Sequence, residues 1–553
     1  MANTQARIIV IGAGIGGLTT AALLAQAGHD VTVLEAQTYP GGCAGTFFHK
    51  GYRFEAGATV AGGFQPGGPH AIVAEQLGIT FPVRLHDPAW VVHLPDCSVS
   101  LTRDNADVIK AFPHTARFWD EQSALADICW RMSGQGLPFP PTDARELGWL
   151  ASTALRNFPQ DVRIAPFALM TAHDWLRWRG VADDPAFVRF IDGQLLIAAQ
   201  TTSRHANAIY SATALDLARQ GVYHVEGGIG GLAETLVKAV EGYGGRVLYR
   251  RRAKRIIMEN GRAVAVEAEH RRQTERHDAD FVVGNLTPWS LDDLLGEDSP
   301  RGLKRETQAL RKGYGAFVLH LGVRADAFPP GFPDHHQVLE RVDGALGEGR
   351  SIFMSISPEW DSSRAPAGYR AMSITTHTEV TQWWDLLQRD ESAYHARKAD
   401  YSDKMLALVE TVLPGFRQHI ALHLPGTPVT YRFYTDRHLG MVGGFPQESL
   451  FKARSQRTGV ANVRLVGDSI FPGQSTAGVS LGALRVAADV LARVGNPHPP
   501  PLSLMERGVE TPSPLDGPAE ARRYTSDSTV RTPFIASTVP STDESTSELE
   551  VSP

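Results

Sequence analysis

Cysteine is scarce in this chain of 553 residues: there are three, Cys43, Cys97 and Cys129. So few and so widely spaced, they build neither a disulfide framework nor a CxxC metal pair, and they suit a reducing cytoplasm. A large excess of charge is missing too. The formal net charge of -6 offers no electrostatic case for nucleic acid, so no nucleic-acid partner is expected. The 20 histidines contain no HExxH-like arrangement, and no metal is expected. No fixed-period repeat is visible. Beyond the first thirty residues no uninterrupted apolar run reaches spanning length, so any membrane contact is expected to be peripheral. What remains is ordinary: 42% hydrophobic and 21% charged residues, in a chain long enough for two or three domains.

The one long uncharged run, Ile8 to Gly28, lies within RIIVIGAGIGGLTTAALLAQAGHDVTVLE. By length it passes for a membrane helix. With Arg7 before it and Ala25-Gln26-Ala27 near its end, it also passes for a secretory signal. Gly12, Gly14, Gly16 and Gly17 argue against both, since each costs a helix interior about 1 kcal/mol relative to alanine. They fall where a turn belongs. Ile8 to Ile11 suits a buried strand, Leu18, Ala21, Ala22 and Ala25 recur at helical spacing, Gly28 ends the helix, and Val31 to Leu34 is a second strand. In Gly12-x-Gly14-x-x-Gly17 the first glycine makes a tight turn and the second admits a pyrophosphate. The third lets the helix lie close on the strand, with its N-terminus toward the phosphates. Glu35, eighteen residues after Gly17, is placed to accept hydrogen bonds from an adenosine ribose. The run reads as half of a Rossmann fold.

The pattern divides the chain into six segments. Residues 1–69 hold the nucleotide half, and 70–224, rich in tryptophan, proline and helical spacing, read as the first part of an inserted domain. Residues 225–300 return to the nucleotide domain, with a loop, a helix, short strands turning at Glu259-Asn260-Gly261, and a buried strand closed by Pro288. Residues 301–445 alternate strand-like runs (AFVLHLGV, SIFMSIS, RAMSITTHT) with helices and form the second part of the inserted domain. Residues 446–496 complete the nucleotide domain. Residues 497–553, dominated by proline, serine and threonine, cannot build a core and read as a disordered tail.

Three separated segments together resemble the flavin-dependent carotenoid desaturase and isomerase family, the phytoene-desaturase-like group. They are the fingerprint, then PGGCAGTFFHKGYRFEAGATV, then LVGDSIFPGQSTAGVSLGA. Within the family GATVAGGFQPGGPH is similar to carotenoid 3',4'-desaturases, while FPGQ is shared with the isomerase branch. The resemblance implies an α/β protein with a Rossmann-type FAD domain of the two-dinucleotide-binding, glutathione-reductase-like kind. It also implies an inserted mixed α+β substrate domain and a partly helical membrane or substrate region. Gly41 and Gly42 match the family's glycine pair, Gly467-Asp468 the pair that holds the ribityl chain, and Gly57, Ala58 and Thr59 the segment near the flavin. Gly227-Gly228 match the loop before a helix returning to the FAD domain, and Ala253 a strand position that offers its backbone to adenine. Gly478 and Val479 begin a helix whose N-terminus steadies charge on reduced flavin. Ile15, Gly16 and Ala36 complete the expected FAD contacts.

The resemblance also implies a carotenoid substrate, desaturated by hydride transfer to the flavin, with a quinone or oxygen as electron acceptor. Isomerisation with reduced FAD, saturation of a polyene, and a more remote amine oxidation are the enzymatic alternatives. A lipid-binding escort of the GDP-dissociation-inhibitor type is the non-enzymatic one. A cytoplasmic protein peripherally attached to the cytoplasmic membrane is expected. Cys43, beside the glycine pair, is read as a small buried residue rather than a covalent flavin link, and His335-His336 as surface residues of a proline-rich loop. Trp383-Trp384 and FVRFIDGQLLIAA are read as core before lipid contact. No spacing selects a catalytic base.

Overall fold

The structure, a computed structural model, describes residues 5–494 except 137, 160 and 310–312. The tail expected at 497–553 lies outside the described residues. Near the N-terminus the glycine pattern does what its spacing implies. A strand Arg7–Ile11 is followed by a helix Ile15–Gln26 and a strand Asp30–Leu34, with Gly28 at φ +89° where the helix ends. These two strands pair in parallel and lie inside a five-stranded sheet. Its order is 463–465, 281–284, 7–11, 30–34 and 246–248, and every neighbouring pair is parallel. Buried on both faces, such strands read as unbroken apolar runs, and FVVG at 281–284 is wholly buried. The helices Gly231–Gly242 and Ser475–Val494 pack against helix Ile15–Gln26. A three-stranded antiparallel sheet, 252–259, 262–270 and 273–278, shares the same hydrophobic core. Pro288 opens a helix, Pro288–Leu295, which Thr287 caps, so it begins an element as well as closing the strand.

A second, seven-stranded sheet draws strands 90–93 and 98–101 from the first inserted stretch. Strands 314–324, 335–339, 351–356, 369–379 and 420–426 come from the second. Alternation gives this sheet two different faces. Phe317, Leu319, Leu321, Ile352, Met354, Met372 and Ile374 pack with Trp383, Tyr401 and Met405 of the helices Val380–Arg389 and Glu391–Val412. The register puts His320 opposite Ser373, Phe353 opposite Thr375 and His335 opposite Ser355 on the other, more polar face. Trp383 is therefore core, Trp384 donates to the Leu439 carbonyl, and FVRFIDGQLLIAA forms most of the buried helix Pro185–Ala199. The expectation for His335-His336 fails. The proline-rich flank suggests a loop, yet both residues begin an interior strand and are buried.

Burial of histidine has a measurable consequence. His70 and His320 are pushed down to about 3, and His86, His336 and His377 to about 4, in each case chiefly by desolvation. The folded value lies below the ordinary 6.5, so the unfolded chain binds protons that the folded chain refuses. Stability is complete above that value and is lost as pH falls. Each histidine held near 4 is expected to cost about 2 kcal/mol at pH 5 relative to neutrality. Urea unfolding at several pH values between 7 and 5 checks this. A flat profile would show that these rings are charged in the folded protein.

Candidate active site

The first strand ends on Gly12, at φ +93°, whose amide donates to the Leu34 carbonyl at 2.8 Å. A Cβ on Gly17 would stand 2.3 Å from the Gly12 carbonyl, so the third glycine is what lets helix and turn touch. Glu35 ties the arrangement together. One carboxylate oxygen accepts from the Ala13 amide at 2.7 Å and the other from the Gln37 amide at 2.8 Å. Burial pushes its pKa up, opposed by those two amides and by Arg252. Gly41 donates to the Ala13 carbonyl, which lays the glycine pair directly beside the turn.

A cavity of about 480 Å³ opens above these elements. Gly14, Ile15, Gly16, Gly41, Gly42, Gly57, Ala58, Thr59, Gly467, Asp468, Gly478 and Val479 all line it. Gly12, Gly17, Glu35 and Ala36 do not line it, and the first three of these brace it from behind. Ala253 does not line it either: its strand pairs with Ala268 and it packs against the sheet core. Gly227 and Gly228 form the loop before helix Gly231–Gly242, as expected, and there Thr46 Oγ1 accepts from the Gly230 amide at 2.9 Å. Cys43 is half-buried in the cavity wall, and burial raises its thiol pKa, so it does not stand as a thiolate.

Asn285 and Arg437, which belong to no motif, and Gln474 of the FPGQ stretch complete the site. Asn285 follows strand 281–284; a Cβ on Gly14 would lie 2.2 Å from its Nδ2 and one on Gly467 2.8 Å from its Oδ1. Its only sequence signal is position, since FVVGN ends a buried strand much as RLVGD does. Arg437 pairs with Asp468 at 3.0 Å and donates to the carbonyls of Met441 and Gly443. Gln474 also lines the cavity and has a buried Nε2 without a partner. Further out the wall changes to Trp130, Leu196, Ile197, Tyr210, Phe353 and Phe471, with His377, Gln200 and Gln337 on the sheet side. Among the described residues no cluster could hold a metal and no helix is long and apolar enough to cross a membrane.

The site fits a flavin dinucleotide. The helices Ile15–Gln26 and Ser475–Val494 both bring their N-terminal turns to one cavity, and Gly14 caps the first with no side chain in the way. Their amides suit a pyrophosphate at one end and an electron-rich ring at the other. The model of the family "flavin containing amine oxidoreductase" matches residues 15–491. The chain belongs to that family. Within it the protein is a member of the carotenoid desaturase and isomerase group, and its cofactor is FAD.

It is similar to prolycopene isomerase 1 of an Oncidium hybrid cultivar, 30% identical over 507 residues, covering 88% of this chain and 84% of the relative. It is also similar to a neurosporene-forming phytoene desaturase of Cereibacter sphaeroides, 25% identical, covering 88% and 95%. Among solved structures an oxidoreductase from Methanosarcina mazei shares the fold, with a TM-score of 0.57, 18% identity and coverage of 87% and 99%. The protein is therefore an FAD-dependent oxidoreductase, which sets aside the non-enzymatic escort.

Proposed function

We propose that the protein desaturates an acyclic or monocyclic carotenoid at its 3',4' bond, passing hydride to FAD. The observation that supports this reading best is the continuity of the cavity from the glycine-lined cradle into a chamber walled by Trp130, Leu196, Ile197 and Phe353. A planar, apolar chain entering there lies against the cofactor. FAD supplies the hydride acceptor; the chain's own residues orient the polyene, exclude solvent and keep the reacting carbons close. GATVAGGFQPGGPH, which leads from the cavity wall at Gly57 to Thr59 into helix Pro69–Leu77, favours the 3',4' bond by its resemblance. The relatives named for prolycopene isomerisation favour a second reading, cis–trans isomerisation without net electron transfer.

Expression in a bacterium that makes lycopene or its 1'-hydroxylated derivatives separates the two. Desaturation is expected to remove two hydrogens and move absorption to the red. Isomerisation leaves the mass unchanged, and saturation would add two hydrogens with a blue shift. Unchanged pigments in several carotenoid backgrounds, with FAD bound, would refute a carotenoid substrate.

Peripheral attachment to the cytoplasmic membrane belongs to the same proposal. Leu147, Leu155, Phe158 and Leu169 expose more than half of their surface within one stretch of chain. Phe451, 79% exposed, adjoins Leu450 of the cavity wall, and Arg457 ties that segment to Asp143 at the start of helix Ala144–Arg156. A water-insoluble substrate needs such a landing face, and a quinone would meet the enzyme there, with oxygen as the other acceptor. In a flotation assay the protein is expected to rise with liposomes. Complete retention in the soluble fraction, with and without carotenoid, would overturn the attachment.

A further inference from the structure

The chamber wall holds a side-chain amide that the protein itself leaves unanswered. Gln200 caps the C-terminus of helix Pro185–Ala199 in a left-handed conformation, φ +57°, and lines the cavity while only 6% exposed. Its Nε2 stands 3.4 Å from Nε2 of His377, a residue of strand 369–379. Its Oε1 is buried with no partner among the described residues. The neighbouring amides, by contrast, are paired at both ends. Trp90 Nε1 donates to Gln194 Oε1 at 3.1 Å, Gln194 Nε2 to Gln337 Oε1 at 2.7 Å, and Gln337 Nε2 to the Gly193 carbonyl at 2.9 Å. An unmet buried amide end is costly, so the open end of Gln200 is left for a ligand.

Its place is the seam between the chamber and the glycine-lined cradle. A Cβ on Gly443 would stand 2.8 Å from Gln200 Nε2, and one on Gly444 2.3 Å from the Asp468 carbonyl. Two successive glycines thus bring the amide close to the Gly467-Asp468 pair. Gln447 locks the same seam: its amide donates to the Ala199 carbonyl at 3.0 Å and its Nε2 to the Pro472 carbonyl at 3.1 Å. Gln200 and His377 both come from the inserted stretches of the chain. Gln474, with its own unmet Nε2, precedes helix Ser475–Val494 on the cofactor side. Gln474 is therefore left to the flavin, and Gln200 to the second occupant. Counting protons gives the group that fits. If Gln200 Nε2 donates to a bare His377 Nε2, the open end is an acceptor. With the amide turned over, His377 donates and the open end is a donor. Burial holds the His377 ring neutral, at about 4, so both tautomers are open to it. A hydroxyl donates and accepts, and answers either arrangement; a bare polyene terminus answers neither.

We propose that Gln200 is the specificity-determining residue of the chamber, its amide anchoring a hydroxyl carried on the polyene close to the bond that reacts. The inference rests on the carotenoid reading above and deepens it. An unhydroxylated chain that fills the chamber covers the open amide end and leaves it unmet, while a hydroxylated one restores the hydrogen bond. A site built to pair a hydroxyl turns away the analogue without it by a larger factor than apolar contact supplies. A hydroxyl-bearing C1' is two bonds from C3', so one anchor at the seam fixes the end of the polyene whose 3',4' bond lies at the cofactor. The selection comes from the amide and not from the apolar wall, since Trp130, Leu196, Ile197 and Phe353 meet both kinds of chain alike.

The test reads binding apart from chemistry. The flavin-loaded full chain is titrated in detergent with lycopene and, separately, with 1'-hydroxylycopene. Quenching of tryptophan fluorescence reports occupancy, Trp130 lying in the chamber wall. The wild type is expected to bind the hydroxylated pigment at least about tenfold more tightly, one hydrogen bond's worth. Gln200→Met keeps the length and the unbranched stem, so the left-handed backbone bears it as it bears glutamine. The variant should keep its flavin, bind the hydroxylated pigment less tightly than the wild type does, and bind lycopene more tightly. Damage to the fold would weaken both together, so the opposite movement of the two affinities is the signature of the anchor. Equal affinities in the wild type would overturn the proposal, whatever the variant does. An undiminished preference in Gln200→Met would overturn it too. If neither pigment binds, the carotenoid reading falls and the anchor with it. A preference for the hydroxylated pigment without conversion of either one would sink only the desaturation and leave the anchor standing.

Discussion

Glu35→Arg is expected to purify without flavin. The glutamate carboxylate holds the amides of Ala13 and Gln37, so it shapes the glycine turn. A hydrogen bond to a charged group contributes about 1.5–3 kcal/mol, and two are lost together. The new guanidinium would also stand near Arg252, whose charge now favours the carboxylate. An affinity loss of about ten- to a hundredfold follows even if only one bond's worth is felt at the cofactor, since about 1.4 kcal/mol is tenfold. Flavin absorbance of the purified protein reads the result. Glu35→Gln keeps the shape and one acceptor, and should retain part of its flavin. Wild-type occupancy in Glu35→Arg would show that this acid is not the ribose ligand.

Arg437 and Asp468 are expected to fail singly and partly rescue each other when both are changed. Each is largely buried, 17% exposed at the side chain, and each is the other's counter-charge. Arg437→Met leaves a carboxylate in the cavity wall with no cation, and Asp468→Asn leaves a guanidinium held only by carbonyls. Removing one partner of a buried pair costs about 3–5 kcal/mol, and solvent reaching the cavity wall favours the lower end. The double variant should lose less than the two single losses added together. Denaturant unfolding of the four proteins, with and without added FAD, measures the coupling. Strict additivity would mean that the pair does not act as one unit.

The difference between Glu35 and Arg437 explains what a reader of the sequence can and cannot find. Glu35 belongs to a local pattern, strand, turn, helix, strand, in which spacing along the chain equals position in space. The same holds for Gly12, Gly14 and Gly17, and for Gly467-Asp468 before its helix. Asn285 acts on the glycine turn from hundreds of residues away and Arg437 on Asp468 from 31, and neither carries a spacing of its own. Asn285 was legible only as the residue that ends another strand of the same sheet. Arg437 sits in a segment of irregular chain and was not legible at all. His335-His336 misled for a different reason. Pro329, Pro330 and Pro333 signal a loop correctly, but the loop ends within two residues and an interior strand follows. Period-2 alternation is visible in the neighbouring strands, but which face is polar becomes clear only from the pairing of four strands.

The order of strands in the nucleotide sheet also sets a schedule for making the protein. Its strand at 7–11 is synthesised long before residues 463–465, which form one edge of that sheet, and before Gly467, Asp468, Gly478 and Val479, which line the cavity. Through most of translation the phosphate turn therefore exists as a fingerprint with no place to lay a flavin. Cofactor capture belongs to the completed chain, and a message truncated before Val463 yields a polypeptide that contains the motif and can never become an enzyme.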